Sequence, residues 1–572
     1  MAGSTPISKE AASGPVPAQP AGSPAETDLW VFRDGLTTAP GPAMLRNLVQ
    51  RVERIPHDPT ALLDCLIEAG ELETALADAD SPATDEAAEL TDALAAAFCS
   101  GRMTAGLSRL AAGIAGVPET LRVAPPEGFT YYALHPLDFA TLASRIPPDP
   151  AACAVIGIRS IGTTLGAVTA AALRLEGRKV SRITARPTGH PYSRETRFSE
   201  AQLRWIREQR ELPAQFLVAD EGPGRSGSTF LSVAEALLRA GVPRDCITLL
   251  GSREADPESL CAQDAASRWR SFRFLPTKPS VNTRFEGCTY IGGGRWRDVL
   301  LTDPADAPES WTQMERLKFL SPDRKTFFKF EGMGPRGAEV RERAFALADA
   351  GFSPSAEDAG DGFVAYTCLE GRWLRPRDLD TRLLESIARY CAFRAEAFPA
   401  PRSAPQELRR MLEFNVRQEF GVELSLPEET FDSARPILAD GRMQPYEWIA
   451  EADRLLKTDA VSHGDNHFFP GPCDIAWDLA GAMIEWPLSA DASSFLVRRF
   501  RQYAGPNALP PLEPYLLAYA VFRLGCCKMA VSTARGTADE RRLTAAYHRY
   551  RREARSELEN VIESRDQTAL AS

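Results

Sequence analysis

The chain alternates between stretches with helical hydrophobic periodicity and short apolar runs that are typical of buried strands. Between residues 29 and 116, apolar residues recur every three or four positions with acidic residues between them, as in PTALLDCLIEAGELETALADA. This pattern predicts a helical region. Residues 1–28 are mainly Ala, Gly, Ser and Pro and offer little apolar surface to bury, so we expect a disordered tail.

From about residue 117 to residue 280 the pattern changes to strands alternating with helices. Four runs rich in branched apolar residues predict strands at Cys153–Ile158, Lys179–Ala185, Gln215–Asp220 and Cys246–Gly251. Buried strands joined by crossover helices form a parallel sheet with helices on both faces, and such sheets bind ligands at the carboxyl ends of their strands. Any chemistry in this region is therefore expected after a strand.

Length, charge and cysteine usage indicate how many domains the protein has and exclude some functions. At roughly 150 residues per domain, 572 residues predict three to four domains. The formal net charge of −11 argues against a protein that coats nucleic acid. The eleven cysteines are scattered without the spacing of a zinc module, which is typical of a reducing compartment.

No apolar run reaches the roughly 18 residues that a membrane helix needs, and the first residues lack the apolar segment of a secretory signal. We therefore expect a soluble, cytoplasmic protein that acts on small molecules, with no nucleic-acid or membrane partner. The sequence gives no indication of a protein partner.

The segment after the third predicted strand combines an acidic pair with a turn of small residues. Asp220 and Glu221 stand at the end of the strand, and the turn that follows leads directly into the helical pattern STFLSVAEALLRAG. Glycines allow close approach of the backbone to an anion, and the N–H groups at a helix start point toward it. The candidate phosphate-binding residues are Arg225, Ser226, Gly227, Ser228 and Thr229.

The stretch ADEGPGRSGST resembles the diphosphosugar-binding loop of type I phosphoribosyltransferases. The resemblance implies that Asp220 and Glu221 hold the ribose hydroxyls of phosphoribosyl diphosphate and that the turn over 226–229 holds its 5-phosphate. Upstream, VIGIRSIGTTLGAV is similar to the pyrophosphate loop of that family, which implies a diphosphate site at Arg159, Ser160, Ile161 and Gly162. Residues 186–210 fall where the family has a mobile hood. Two departures are Glu221 in place of the commoner Asp and a turn longer by one residue.

A second set of candidate residues lies in the C-terminal half. The stretch TFFKFEGMG places Lys329 on a predicted strand, and a predicted helix carrying Glu342 follows. Much later in the chain comes VSHGDNHFFPGPCDIAWDLAGAMIEW. Phosphoryl transfer needs a lysine on the nucleotide phosphates, a carboxylate that orients it, an aspartate at the attacking hydroxyl, and metal ligands.

This half resembles the aminoglycoside phosphotransferase and small-molecule kinase family, with an HGD motif ending at Asp465 and a later D-x-x-W-D-L-A motif starting at Asp474. The resemblance implies that Lys329 binds the phosphates of ATP, that Glu342 pairs with Lys329, and that Asp465 is the catalytic base. It implies a magnesium ion on Asn466 or Asp474. The family has an Asn five residues after the catalytic Asp, where this chain has Pro470, and only eight residues separate the two motifs.

The sequence therefore predicts an α/β protein. It comprises a helical region over 29–116, a parallel-sheet phosphoribosyltransferase-like domain over 117–280, and an α+β kinase-like domain with a helical C-terminus over 287–572. The predicted function is magnesium-dependent transfer of phosphoribose from phosphoribosyl diphosphate to an unidentified small molecule, with an accessory ATP-dependent phosphotransferase activity. The alternative is a regulatory protein that binds nucleotides without turnover and acts as a sensor.

Overall fold

A computed structural model describes residues 37–571 apart from 57, 59–60, 103–105, 150–151, 191, 225, 302, 304–306, 467 and 507–508. The predicted disordered tail and Arg225 lie outside the described residues. The helices in the first region lie where the periodicity predicts them, and a short strand, which was not predicted, precedes them. These elements are β1 (Thr37–Pro40), α1 (Gly41–Arg54), α2 (Ala61–Asp78), α3 (Thr84–Ser100) and α4 (Leu107–Gly113).

The parallel sheet is present. Its strands, in spatial order, are β4 (Lys179–Ala185), β3 (Ala152–Ile158), β7 (Gln215–Ala219), β8 (Ile247–Gly251) and β9 (Arg273–Pro276). The first four correspond to the predicted strands. Strand β9 was not predicted, because this short edge strand starts with an exposed arginine and is only half-buried beyond it. All neighbouring strands pair in parallel.

Helices cover both faces of this sheet. On one face, α6 (Pro136–Ala143) and α7 (Ile161–Leu175) share a core with β3 and β7, and α2 and α3 pack behind α7. On the other face lie α8 (Glu200–Glu211), α9 (Ser228–Arg239) and α10 (Ala265–Arg270). The N-terminal helices therefore form an outer layer of the sheet region.

Three small elements complete this region. Antiparallel strand β2 (Thr120–Val123) pairs with β1. Strands β5 (Thr188–His190) and β6 (Ser193–Glu195) form a separate antiparallel ribbon within the segment expected to be a hood. The short helix α5 (Glu127–Thr130) lies between the parallel sheet and the C-terminal half.

The C-terminal half begins with a five-stranded antiparallel sheet. Its strand order is β10 (Thr289–Tyr290), β11 (Lys318–Leu320), β12 (Thr326–Phe330), β14 (Phe363–Thr367) and β13 (Ala356–Gly360). The accompanying helices are α11 (Val281–Arg284), α12 (Trp296–Leu300) and α13 (Gly334–Asp349). The Gly292–Gly294 run leads from β10 into α12.

The remainder is mainly helical. It contains α14 (Thr381–Ala397), α15 (Pro405–Phe420), α16 (Ala476–Glu485), α17 (Ala490–Ala504), α18 (Glu513–Thr533) and α19 (Ala538–Ala571). A three-stranded sheet is formed by β15 (Arg372–Trp373), β16 (Trp448–Glu451) and β17 (Arg454–Lys457). By length and composition α18 could cross a membrane, but 67% of its apolar window is buried in the fold, as in a core helix.

The α/β class predicted from the sequence is confirmed, although the cores do not follow the predicted regions. One continuous core contains Leu48 of α1, Val155 of the parallel sheet and Phe363 of the antiparallel sheet. The helical region, the parallel sheet and the start of the C-terminal half are therefore packed together as a unit.

Candidate functional site

A cleft of about 1100 Å³ opens between the antiparallel sheet and the helices of the C-terminal half, and Lys329 lies in its wall. Lys329 is the fourth of the five residues of β12 and is 3% exposed. Its Nζ lies 2.8 Å from Oε1 of Glu331 and 2.5 Å from Oδ1 of Asp459, and it donates a hydrogen bond of 3.0 Å to Oγ of Ser462. Lys329 and Glu331 face the same side because side chains in a strand alternate.

Asp459 is the residue on which the charges of this cleft converge. It follows β17, and the β16–β17 hairpin carries it to the antiparallel sheet. Lys318 of β11 lies 3.4 Å from its Oδ2. Burial acts to raise the pKa of Asp459, but Lys318 and Lys329 hold this pKa well below its ordinary value. Asp459 is therefore a stable carboxylate with two lysines beside it.

A second cluster lies next to Asp459 and consists of Asp440, Glu447, Lys457 and His463. The ammonium group of Lys457 is fully buried, 2.9 Å from Oε2 of Glu447 and 3.3 Å from Oδ2 of Asp440. Nε2 of His463 lies 3.6 Å from Oδ2 of Asp459. Burial, followed by the charge of Arg442, lowers the pKa of His463, so the ring is neutral near pH 7.

This cluster has donor atoms suited to a divalent cation. Candidate ligand atoms of Asp440, Glu447 and His463 lie within 4.8 Å of one another. Among the described residues, Oε1 of Glu447 and Nδ1 of His463 are buried without a hydrogen-bond partner. One imidazole nitrogen and two carboxylates are ordinary ligands for a divalent metal. The charge of Lys457 opposes such an ion unless a bound phosphate contributes negative charge.

The second aspartate of the D-x-x-W-D-L-A motif, Asp478, holds the backbone of the loop that carries Asp440. Asp478 is fully buried and accepts hydrogen bonds from the N–H groups of Asp440, at 2.9 Å, and Gly441, at 3.1 Å. Gly464 packs against the same turn, since a Cβ on it would lie 2.0 Å from the carbonyl oxygen of Ala439. Both sequence motifs therefore hold the loop that carries Asp440.

Two of the predicted kinase residues, Glu342 and Asp465, have surroundings that the sequence did not indicate. The expected pairing of Lys329 with Glu342 is not observed, because Glu342 lies on the exposed side of α13 and the neighbouring Arg343 points inward. The Asp465 carboxylate forms an ion pair with Arg343. The Asp465 carbonyl accepts a hydrogen bond of 3.0 Å from the hydroxyl of Tyr131.

The two predicted metal ligands have different surroundings. Asn466 lines the cleft, and its Oδ1 accepts the N–H of Phe468 at 2.9 Å. Asp474 is 7% exposed, and its carboxylate accepts the N–H of Ala476 at 3.0 Å and the hydroxyl of Ser433 at 2.6 Å. Asp474 therefore holds the start of α16, and no metal role follows from its contacts.

The acidic pair of the parallel sheet lies directly after β7, as predicted. Asp220 and Glu221 are half-buried, and Oδ1 of Asp220 accepts the N–H of Glu221 at 2.8 Å. Burial raises the pKa of Asp220 to about 7. Burial, and then the charges of Glu127 and Asp220, raise the pKa of Glu221 to about 8. Two carboxyl groups that titrate near neutrality can exchange protons for a cation or a polar ligand.

Glu127 is a third member of this acidic group and was not predicted from the sequence. It belongs to α5, and burial raises its pKa to about 7. The backbone of α5 approaches closely, since a Cβ on Gly128 would lie 2.9 Å from Oε2 of Glu221. No local pattern connects Glu127 to a loop nearly a hundred residues later, so only the fold reveals this neighbour.

The predicted phosphate turn leads into α9 as expected. Gly227 has a φ of +68°, a conformation that favours glycine, and directly precedes the helix. The hydroxyls of Ser226 and Ser228 lie 2.9 Å apart, and Thr229 follows in the first turn of the helix. The turn therefore presents hydroxyl groups and helix-start N–H groups beside the acidic pair.

The other predicted loop, Arg159 to Gly162, lies against the acidic pair. A Cβ on Gly162 would lie 2.4 Å from the carbonyl oxygen of Ala219, the residue before Asp220. Ser160 precedes α7, and its carbonyl accepts a hydrogen bond from the hydroxyl of Thr74. The Arg159 side chain turns away to Asp78, at 3.0 Å. The two loops thus meet at the carboxyl end of the sheet.

Comparison with known proteins gives similarity to solved structures only. No family model and no curated protein matches the chain. The choline kinase LicA from Streptococcus pneumoniae is 14% identical with a TM-score of 0.29, over 42% of this chain and 89% of that one. The macrolide 2'-phosphotransferase MphH from Brachybacterium faecium is 15% identical with a TM-score of 0.27, over 41% and 88%. An aminoglycoside-3'-phosphotransferase of type VIII is 18% identical with a TM-score of 0.27, over 42% and 95%.

These neighbours are phosphotransferases that align with about two fifths of the chain. None of the three is a phosphoribosyltransferase. The resemblance of residues 117–280 to that family stays a prediction.

Proposed function

We propose that the cleft of the C-terminal half transfers a phosphoryl group from a nucleoside triphosphate to a small molecule. The observation that carries this proposal is the convergence of Lys329, Lys318 and Asp459 in the cleft wall. Phosphoryl transfer depends on positioning and on neutralising charge, for which two lysines and an adjacent carboxylate are suited. The reacting centre then lies at Asp459, and not at Asp474.

In this proposal each residue has a defined task. Lys318 and Lys329 bind the phosphates once these replace Asp459 as partners of the ammonium groups. Asp459, with His463 beside it, would hold magnesium, which neutralises phosphate charge when bound. Asp465 stays the proposed base, and it must exchange its pairing with Arg343 for the acceptor hydroxyl.

Calorimetric titration of the full chain with ADP, with and without magnesium, tests the phosphate site. We expect Lys329→Ala to weaken ADP binding at least tenfold, because a charge-assisted contact of 1.5–3 kcal/mol, roughly, is lost. Asp459→Asn should abolish the magnesium dependence of binding, whereas Asp465→Asn should change binding little. Lys325→Ala, an exposed lysine on the same cleft, is the matched control. Absence of ADP binding in both conditions would refute the proposal.

A second function is favoured by the meeting of two loops at the carboxyl end of the parallel sheet. We propose that this edge binds phosphoribosyl diphosphate, with the ribose hydroxyls on Asp220 and Glu221 and the 5-phosphate at the 226–229 turn. The diphosphate would lie at Ser160 and Gly162. Transfer of phosphoribose to an acceptor is the proposed reaction, and binding without turnover would favour the sensor alternative.

Thermal unfolding with phosphoribosyl diphosphate and magnesium tests this second site. A ligand at a hundredfold excess over its Kd stabilises the native state by about 2.7 kcal/mol. The double variant Asp220→Asn, Glu221→Gln should lose this shift and keep the shift caused by ADP. If the double variant responds to phosphoribosyl diphosphate like the wild type, the assignment of the acidic pair is wrong.

A further inference from the structure

Three arginines line the cleft that contains Lys329 and Asp459. Arg442 follows the turn held by Asp478, Arg523 belongs to α18, and Arg549 belongs to α19. They come from three separate segments of the helical part, whereas the two lysines come from the antiparallel sheet. The cleft therefore has a lysine side and an arginine side.

Few carboxylates balance the arginine side. Glu485 is shared between Arg523, at 3.5 Å, and Arg549, at 3.1 Å, and it also accepts the hydroxyls of Tyr519 and Tyr550. Glu309 lies 3.8 Å from Arg523. Arg523 and Arg549 thus share these two carboxylates.

Arg442 is the arginine with the weakest pairing. Its nearest acid is Glu447, at 3.6 Å, and the other oxygen of Glu447 is held by Lys457 at 2.9 Å. Within the described residues the guanidinium group of Arg442 donates no hydrogen bond, and 32% of its side chain is exposed. It lies near enough to both Asp459 and Arg523 to interact with their charges. Arg442 therefore stands between the proposed reacting centre and the other two arginines.

We propose that the acceptor phosphorylated in this cleft carries an oxyanion, a phosphate or a carboxylate, which Arg442 binds with Arg523 and Arg549 next to it. Guanidinium groups with free donors match the paired oxygens of these anions. A cationic acceptor would be repelled by the same three side chains. The inference rests on the proposed phosphoryl transfer, because that function makes the arginine side an acceptor site.

Calorimetry of the full chain with three matched probes tests the inference. The probes are glycerol 3-phosphate, D-glycerate and glycerol, with choline as a cationic comparison. We expect one or both anions to bind and glycerol and choline not to bind. Arg442→Gln should weaken anion binding at least tenfold while ADP binding changes less than twofold. Arg324→Gln removes a guanidinium from the exposed turn of the same cleft and should have no effect.

The outcomes separate the inference from the proposed function. Anion binding that is unchanged in Arg442→Gln, or preference for choline, overturns the inference and leaves the phosphoryl transfer standing. Equal loss of ADP and anion binding in Arg442→Gln also overturns it, because the arginines would then bind the nucleotide. Anion binding that depends on Arg442 in a protein that does not bind ADP supports the oxyanion site and refutes phosphoryl transfer. Arg549→Gln repeats the test at a more exposed position if Arg442→Gln does not fold.

Discussion

The half-buried carboxyl groups at the carboxyl end of the parallel sheet show how the surroundings change the chemistry of single residues. Glu127, Asp220 and Glu221 have pKa values raised to about 7, 7 and 8, with burial as the largest cause. The raised values mean that the native state binds protons more tightly than the unfolded chain. The stability that this confers is present at acid pH and is lost as the pH rises toward 8.

Glu127→Gln is expected to reduce this pH dependence. The substitution removes one of the three groups, and it also removes a charge that raises the pKa of Glu221. The fall in the midpoint of thermal unfolding between pH 6 and pH 8.5 should be smaller in Glu127→Gln than in the wild type. Glu119→Gln, at an exposed position, is the control. An identical pH profile for Glu127→Gln and the wild type would contradict the pKa assignment.

At the scale of elements, the short helix α5 connects the two candidate sites. At one end Glu127 and Gly128 lie against Glu221. At the other end the carbonyl of Phe129 accepts the N–H of Met333, and the Tyr131 hydroxyl donates to the carbonyl of Asp465. A movement of α5 at either site would therefore displace backbone contacts at the other.

The predicted hood is formed by the β5–β6 ribbon and α8. A capping box between Ser199 and Gln202 fixes the start of α8, and Arg186 donates a hydrogen bond to the carbonyl of Arg159 at 2.8 Å. The segment is thus attached to the loop that was predicted to bind the diphosphate, at Arg159. Its mobility and closure over a ligand stay predictions.

At the scale of the whole molecule, the candidate kinase-like half shares its core with the rest of the chain. Phe319, Phe330, Met333 and Phe363 of this half are at most 2% exposed, and they belong to the core that includes α1, α2 and the parallel sheet. Separation at residue 287 would expose this apolar surface to water. Exposed apolar patches of this kind favour aggregation.

We therefore expect a fragment of residues 287–572 to be poorly soluble, or to unfold at a lower temperature than the full chain. Co-expression with residues 1–286 should restore solubility, because it supplies the missing half of the core. Size-exclusion chromatography and thermal unfolding measure both effects. A soluble, monomeric fragment that unfolds at the temperature of the full chain would show that the shared core is unimportant.

Local features were readable from the sequence because they depend on residues that are close along the chain. Hydrophobic periodicity located the N-terminal helices and four strands of the parallel sheet, and small residues with hydroxyls located the turn before α9. The strand position of Lys329 was also predicted. In each case the information lies within a window of one helix or one strand.

The HGD motif shows that a local pattern does not specify the tertiary contacts of its residues. Three residues do not specify which loop of the fold they occupy. Here His463 and Gly464 pack against the turn of Asp440, whereas Asp465 pairs with Arg343. Glu342 was predicted to face inward, but the rotation of α13 directs Arg343 inward instead. A one-residue difference on a helix rotates a side chain by about 100°, which the sequence pattern did not resolve.

The sequence by itself therefore determined the elements of this protein and the residue types available at their ends. Only the tertiary structure decided which of these residues meet: Lys329 with Asp459, 130 positions later, and Glu127 with Glu221. The physical reason is that such contacts depend on the packing of whole elements, which buries charges together and shifts their pKa values. No local pattern contains that information.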